Sequence, residues 1–215
     1  MLRVSRFTFL AVLGAVVLLA LTGRIWFSKP SVDSTELQAA GIVLLPEPRP
    51  LPALALTNTE GKAQTLNRAT GRWTLVFFGY TFCPDICPTT LSELRQLDSL
   101  LPASARARYQ VVMVSVDPHR DTPEQLGRYL GFFNAGYQGL TGALADIQTL
   151  AAATGIPFIP GDTQKERYTV DHSGNLALIG PDGLQYGFLR APLNVQELAE
   201  VLPEFWKNAE KVEKK

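Results

Sequence analysis

Two cysteines separated by three residues are the side chains in this sequence with the clearest capacity for chemistry. Cys83 and Cys87 flank Pro84-Asp85-Ile86, and Pro88 follows directly. Two thiols this close can form one redox pair or half of a soft-metal site. A disulfide requires sulfurs about 2.05 Å apart, whereas two sulfurs bound to one metal at about 2.3 Å each can lie up to about 4.6 Å apart. The spacing is compatible with both states.

The small number of soft ligands limits the choice of metal. The chain has two cysteines and two histidines, His119 and His172. Paired thiolates select Cu(I) or zinc, but a closed structural zinc site needs four protein ligands. Cu(I) needs fewer ligands and suits these residues better. A purely structural disulfide is the alternative, but a bridge across so short a loop would remove little chain entropy.

The cysteines follow a segment that is typical of a strand buried on both faces. Residues Trp73 to Gly79 form a nearly continuous apolar run of strand-forming residues. In open α/β sheets, ligands bind beyond the carboxyl ends of the strands. Pro88 is favourable at the first helical position, so a helix is predicted to begin there, with Cys87 near its cap and Cys83 on the preceding turn. Helix-terminal amides favour the thiolate, which is both nucleophile and metal ligand.

Both histidines are candidates for a third ligand. His172 precedes a predicted strand that begins at Leu176, and His119 follows a second buried strand over 109–116. If the strand from Leu176 runs antiparallel to the two parallel strands, its beginning lies at the same sheet edge as the cysteine loop. Sequence topology alone therefore nominates both side chains. The alternatives are a solvated His119 in its charged loop and a hydrogen-bonding role for His172.

The elements that must position these side chains alternate between strand and helix. A helical pattern carried by Leu91, Leu94 and Leu97 separates the two buried strands, and Thr122-Pro123 begins a second helix. Such alternation predicts a parallel, right-handed unit. The other predicted elements are a hairpin of 54–57 with 63–66, a helix over 143–154, a hairpin of 176–180 with 184–189 and a helix over 195–207. We therefore expect an α/β, thioredoxin-like fold, with a central mixed sheet flanked by helices.

The N-terminal segment predicts a transmembrane helix ahead of this fold. Residues 7–23 carry no charge, and Arg3 and Arg6 precede them. Seventeen helical residues would span about 26 Å, and the run is longer than the core of a cleaved signal. Ala20-Leu21-Thr22 is also a poor cleavage site. We expect an uncleaved anchor with a cytoplasmic N-terminus and the body outside the cytoplasm.

The composition of the chain is that of a folded, globular protein. Apolar residues make up 46% of the sequence and charged residues 19%, which excludes disorder as the main state. The whole chain has no net charge, while the first 27 residues hold three arginines and no acid, so the remainder is mildly acidic. This balance argues against nucleic-acid binding. Prolines at 30, 46, 48, 50 and 52 predict a stiff, extended tether over 28–50.

Four motifs, in the same order along the chain, resemble those of the Sco/SenC family. They are Phe78-Gly79-Tyr80-Thr81-Phe82-Cys83-Pro84-Asp85-Ile86-Cys87-Pro88, Val114-Ser115-Val116-Asp117-Pro118-His119-Arg120-Asp121-Thr122-Pro123, Gly139-Leu140-Thr141-Gly142 and Val170-Asp171-His172-Ser173. Members of the family are membrane-anchored, thioredoxin-like copper proteins that serve cytochrome c oxidase assembly. The resemblance runs from about Leu51 to about Leu202 and includes the anchor.

The resemblance implies a ligand set and an organisation for the chain. Cys83, Cys87 and His172 would bind Cu(I) or Cu(II), whereas His119 ranks well below His172 because the family commonly has glutamate at its position. Residues 1–27 would be the cytoplasmic N-terminus and anchor, 28–50 the tether, 51–207 the copper-binding domain and 208–215 a charged, frayed tail. The protein would cross a bacterial inner membrane once, with its domain in the periplasm.

The implied function is that of a copper metallochaperone, which need not turn over a substrate. It would deliver copper to the binuclear copper centre of cytochrome c oxidase subunit II, with another copper chaperone and a thioredoxin-like reductant as further partners. The alternative is a thiol-disulfide oxidoreductase that reduces the cysteines of that centre, with Cys83 and Cys87 as the redox pair and His172 orienting or deprotonating a thiol. A peroxiredoxin-like peroxidase has little support, because the sequence shows no convincing peroxidatic-cysteine motif.

Overall fold

Two apolar strands form the centre of the fold. The structure is a computed structural model that describes residues 34–213. Its strands are β1 (Ile42–Pro50), β2 (Leu56–Asn58), β3 (Ala63–Gln64), β4 (Trp73–Gly79), β5 (Tyr109–Ser115), β6 (Gln138–Thr141), β7 (Leu176–Ile179) and β8 (Leu184–Leu189). β4 and β5 pair in parallel along their whole length, and every residue of β4 is buried. This confirms the predicted strand covered on both faces.

The sheet is mixed, and its strand order places the ends of β4 and β5 beside the beginning of β7. The eight strands lie in the order β1-β8-β7-β4-β5-β6-β2-β3. β7 runs antiparallel to β4, with Leu176 opposite Phe77 near the carboxyl end of β4. The condition on which the prediction for His172 depended is therefore met. β6 adds a third parallel strand beside β5 that was not predicted from the sequence.

Six helices complete the described part of the chain. They are α1 (Ser34–Ala39), α2 (Ile86–Leu100), α3 (Ala103–Arg106), α4 (Pro123–Gly131), α5 (Leu144–Ala153) and α6 (Val195–Glu213). The hydroxyl of Thr122 caps α4 by accepting a hydrogen bond from the backbone N–H of Gln125 at 3.2 Å, as the sequence predicts. α2 begins at Ile86, two residues before the expected Pro88. The first turn of a helix tolerates proline because its N–H groups have no intrahelical acceptor.

The tether predicted over 28–50 differs from the structure. Residues 34–50 belong to the folded body, in which they form α1 and β1. β1 pairs with β8 on one side only, at the edge of the sheet. Prolines are tolerated in an edge strand because a missing N–H on its open side costs no ladder bond. α6 continues to Glu213 and includes most of the charged segment over 208–215.

The predicted anchor, residues 1–27, lies outside the described residues. Between residues 34 and 213, no helix is both long and apolar enough to cross a membrane. The described residues have the mixed sheet and flanking helices of the expected α/β class, with the carboxyl ends of β4 and β5 forming the edge at which the candidate site lies.

Candidate metal centre

The two cysteines lie on the turn after β4 and in the first turn of α2. Cys87 is fully buried, Cys83 is half-buried, and both are free thiols. The backbone N–H of Cys87 donates to Sγ of Cys83 at 3.4 Å, and the N–H of Tyr80 donates to Sγ of Cys87 at 3.4 Å. Each sulfur therefore accepts a hydrogen bond from the backbone, which stabilises negative charge on sulfur.

His172 completes the site from the segment that leads into β7. Its Nε2 atom lies 3.4 Å from Sγ of Cys83 and 3.4 Å from Sγ of Cys87. Its Nδ1 atom lies 3.1 Å from the backbone oxygen of Ser173, which can only accept a hydrogen bond. Nδ1 therefore carries the proton of the neutral ring, and the lone pair of Nε2 faces both sulfurs. This tautomer is the one that can bind a metal through Nε2.

The ligand atoms of these three side chains all lie within 4.8 Å of one another. In the described part of the chain, they are the one group of three or more His, Cys, Asp or Glu side chains that converge in this way. A metal bonded at about 2.0 Å to nitrogen and about 2.3 Å to sulfur permits nitrogen–sulfur separations up to about 4.3 Å. The observed separations fit within this limit. Two thiolates and an imidazole form a soft donor set that suits Cu(I).

The two thiols differ in acidity because they differ in surroundings. The hydrogen bond with the Cys87 side chain lowers the pKa of Cys83, and hydrogen bonds from nearby backbone N–H groups act in the same direction, against the effect of burial. Burial raises the pKa of Cys87, and its interaction with the sulfur of Cys83 raises it further. These shifts favour a thiolate at Cys83 and a thiol at Cys87, so the proton of Cys87 must leave when both sulfurs bind a metal.

Two aromatic rings pack against the imidazole of His172 and hold it in place. The rings of Tyr80 and Phe77 meet His172 edge-on, with centroid distances of 5.5 Å and 6.0 Å.

A cavity of about 470 Å³ lies over the site, which is open on one side. Cys83 and His172 line this cavity, and Cys87 does not. Access from solvent is therefore on the side of Cys83.

His119 does not join this cluster. It is exposed on the loop after β5 and belongs to no converging group of three or more His, Cys, Asp or Glu side chains among the described residues. The structure thus brings Cys83, Cys87 and His172 together and separates the two histidines that topology alone had nominated equally.

Asp121, whose role is not evident from the sequence, holds the loop that leads to Cys83. This carboxylate is fully buried and accepts hydrogen bonds from the N–H of Thr81 at 3.0 Å, from the hydroxyl of Thr81 at 2.7 Å and from the hydroxyl of Ser115 at 2.6 Å. Burial raises the pKa of Asp121, and these hydrogen bonds oppose that effect. The sequence indicates this role only in general terms, because Thr81 and Asp121 are polar residues that follow two neighbouring parallel strands.

Comparison with known proteins places the chain in a family. The family model described as SCO1/SenC matches residues 50–207. A Stutzerimonas stutzeri protein named "Putative copper-binding protein" is 47% identical over 172 residues, which cover 80% of this chain and 84% of that protein. The mitochondrial SCO1 homolog of Homo sapiens is 35% identical over 131 residues, 60% of this chain. This chain spans 44% of the length of the human relative.

Solved structures show the same fold. The crystal structure of Arabidopsis thaliana ScoI with copper bound is 30% identical to this chain and superposes with a TM-score of 0.65. The match covers 73% of this chain and 98% of that one, which confirms the predicted thioredoxin-like fold. The family model spans most of the described residues and includes all three converging side chains. The chain belongs to the SCO1/SenC family.

Proposed function

We propose that this protein is a copper metallochaperone that holds Cu(I) through Sγ of Cys83, Sγ of Cys87 and Nε2 of His172. The observation that carries the proposal is the position of Nε2, 3.4 Å from both sulfurs with its lone pair toward them. The name of the Stutzerimonas stutzeri relative and the copper in the Arabidopsis thaliana structure support the choice of metal. Cu(II) is the other oxidation state that the family resemblance implies.

The chain's own residues prepare this binding. The lowered pKa of Cys83 favours a thiolate before any metal arrives, whereas Cys87 must release a proton to become a ligand. Ser173 holds the proton of His172 on Nδ1, and the ring of Tyr80 restricts the rotation of the imidazole. Copper is the cargo of this site, so the protein must release it to the ligands of another protein.

We propose that the recipient is the binuclear copper centre of cytochrome c oxidase subunit II. Membership of the SCO1/SenC family supports this partner. Transfer would occur by exchange of ligands, in which thiolates of the recipient replace those of Cys83 and Cys87. Another copper chaperone would supply the metal, and a thioredoxin-like reductant would keep both cysteines reduced.

The histidine variants test the ligand set. We expect His172→Ala to weaken Cu(I) binding at least about tenfold, since loss of even an outer-shell partner typically costs about 10- to 100-fold in metal affinity. His119→Ala should leave the affinity within about twofold, because His119 is exposed and outside the cluster. The measurement is titration of the reduced protein with Cu(I) against a competing chelator. Equal losses in the two variants would contradict the assignment of the third ligand, and failure of the parent to bind Cu(I) would contradict the proposed function.

A second candidate function is thiol-disulfide exchange. It is favoured by one observation, the pairing of a Cys83 thiol of lowered pKa with a buried Cys87 thiol, which is an arrangement typical of a redox pair. Disulfide-reductase activity should be measured on the preparations used for copper titration. If His172→Ala keeps its copper affinity while this activity collapses, the oxidoreductase function replaces the chaperone.

We also propose that residues 7–23 anchor the protein once in a bacterial inner membrane, with the folded domain in the periplasm. The uncharged run preceded by Arg3 and Arg6 supports this topology. Protease added to cells with a permeabilised outer membrane should digest the domain. Protection of the domain in that experiment, or a mature N-terminus beyond Gly23, would contradict the proposal.

A further inference from the structure

Arg120 lies between the two loops that carry the metal ligands. Its guanidinium carbon is 3.6 Å from the ring centroid of Tyr168, 4.9 Å from that of Phe82 and 5.6 Å from that of Tyr80. Phe82 directly precedes Cys83, and Tyr168 lies on the segment that leads to His172. The cation therefore contacts aromatic rings on both sides of the site, at distances at which cation–π attraction operates.

A buried ion pair fixes the guanidinium in this position. Nε of Arg120 pairs with Asp117, whose side chain is 3% exposed, and Oδ1 of Asp117 accepts a hydrogen bond from the hydroxyl of Tyr168 at 2.7 Å. Nη2 of Arg120 is buried and has no hydrogen-bond acceptor among the described residues. The guanidinium thus depends on the rings, as well as on Asp117, for its stabilisation.

Tyr80 also joins the segment that carries His172 to the cysteine loop, since its ring meets the imidazole edge-on. The N–H of Val170 donates to the hydroxyl of Tyr80 at 3.3 Å, and Asp171 forms an isolated bridge with Ile159. His172 must stay at 3.4 Å from both sulfurs. The contacts of Arg120 link Tyr168 to Phe82 and Tyr80, and so restrict the loop four residues before His172.

We infer that Arg120 is a positioning residue, which holds the loop of His172 against the loop of Cys83 before metal binds. We name the group of Arg120, Asp117, Tyr168 and Phe82 the arginine clamp. The inference rests on the proposed function only for its effect on copper, because the effect on the loop exists without metal.

Amide hydrogen exchange of the metal-free, full-length protein tests the clamp directly. Arg120→Gln removes the cation, and Tyr168→Leu removes the nearest ring but keeps the ion pair with Asp117. We expect both variants to speed exchange at the amides of Val170 and Asp171 by about fivefold or more, while amides of β4 keep their rates. Tyr168→Phe retains the ring and should have a smaller effect. Arg128→Gln is the matched control, since Arg128 is an exposed residue of α4 whose Nη2 donates a hydrogen bond to Oε1 of Gln125 at 2.8 Å.

A double-mutant cycle with His172→Ala then tests the link to the ligand. We expect the clamp variants to weaken Cu(I) binding about fivefold or more when His172 is present and to have little effect when it is absent. Unchanged exchange at Val170 and Asp171 in Tyr168→Leu would overturn the inference, and so would an equal loss of copper affinity in both backgrounds. If Arg120→Gln fails to fold because Asp117 is left unpaired, the exchange rates of Tyr168→Leu test the inference instead. If the parent protein binds no Cu(I), the proposed function fails and the exchange rates alone decide whether the clamp exists.

Discussion

Cys83→Ser and Cys87→Ser should each abolish useful Cu(I) binding. A serine hydroxyl is a hard, neutral donor, whereas Cu(I) selects soft thiolates, so each variant would retain one thiolate and one imidazole. Loss of an outer-shell partner costs about 10- to 100-fold in affinity, and we expect loss of a sulfur ligand to exceed about 100-fold. Competition between the reduced protein and a Cu(I) chelator measures the change.

A control variant in the first turn of α2 separates loss of a copper ligand from a general loss of stability. Thr89 is exposed on the first turn of α2, and Thr89→Ser changes a side chain there without touching the site. In cells, both cysteine variants should fail to assemble the oxidase copper centre, while Thr89→Ser should support assembly. A cysteine variant that binds Cu(I) within about tenfold of the parent would contradict the two-sulfur site.

Gly79→Ala should damage both the fold and the site. Gly79 ends β4, and a Cβ atom added there would lie 2.6 Å from Cε1 of Phe77 and 2.8 Å from Sγ of Cys87. Phe77 and Cys87 are fully buried, so neither can move without displacing other core atoms. We expect the free energy of unfolding to fall by about 1–3 kcal/mol, the usual cost of overpacking, and the copper affinity to fall because the sulfur is displaced.

Gly131→Ala provides the comparison. Gly131 is the last residue of α4, and an added Cβ there would meet no heavy atom within 4 Å. We expect its free energy of unfolding to rise slightly, by up to about 1 kcal/mol, because alanine favours the helix over glycine. Urea unfolding followed by copper titration measures both variants. If Gly79→Ala unfolds at the same urea concentration as the parent and keeps its copper affinity, the described packing of Cys87 against β4 is wrong.

The central strands could be predicted because their sequence pattern is strong. Residues 73–79 and 109–115 are continuous apolar runs of the kind that a doubly covered sheet requires, and Thr122 with Pro123 marks the start of α4. β1 was missed because its prolines argue against a strand, and the position at the sheet edge that accommodates them is not visible in local sequence. β6 has only four residues, too few for a periodic signal.

Residue type and topology predicted the three candidate ligands. They did not predict the contacts that hold the ligand-bearing loops in place. Cys83 and Cys87 are evident from their spacing, and His172 follows from the antiparallel direction of β7. Topology could not separate His172 from His119, because both follow or precede strands that meet at one edge. The contacts of Arg120 with Tyr168 and of Asp121 with Thr81 join segments that are distant in sequence. Such contacts depend on the paths of loops, which carry little local pattern.

The unequal exposure of the two sulfurs sets an order of events for any exchange of metal. Cys83 borders the open cavity, whereas Cys87, in the first turn of α2, is fully buried against the end of β4. An incoming nucleophile would approach a bound ion through this cavity, which Cys83 and His172 line, so we expect the bond to Cys83 to be replaced before the bond to Cys87. The bond between the ion and the buried sulfur of Cys87 would break after the bond to Cys83. Departure of the ion would then be stepwise and associative, with release controlled by the arrival of the acceptor rather than by spontaneous loss to solvent.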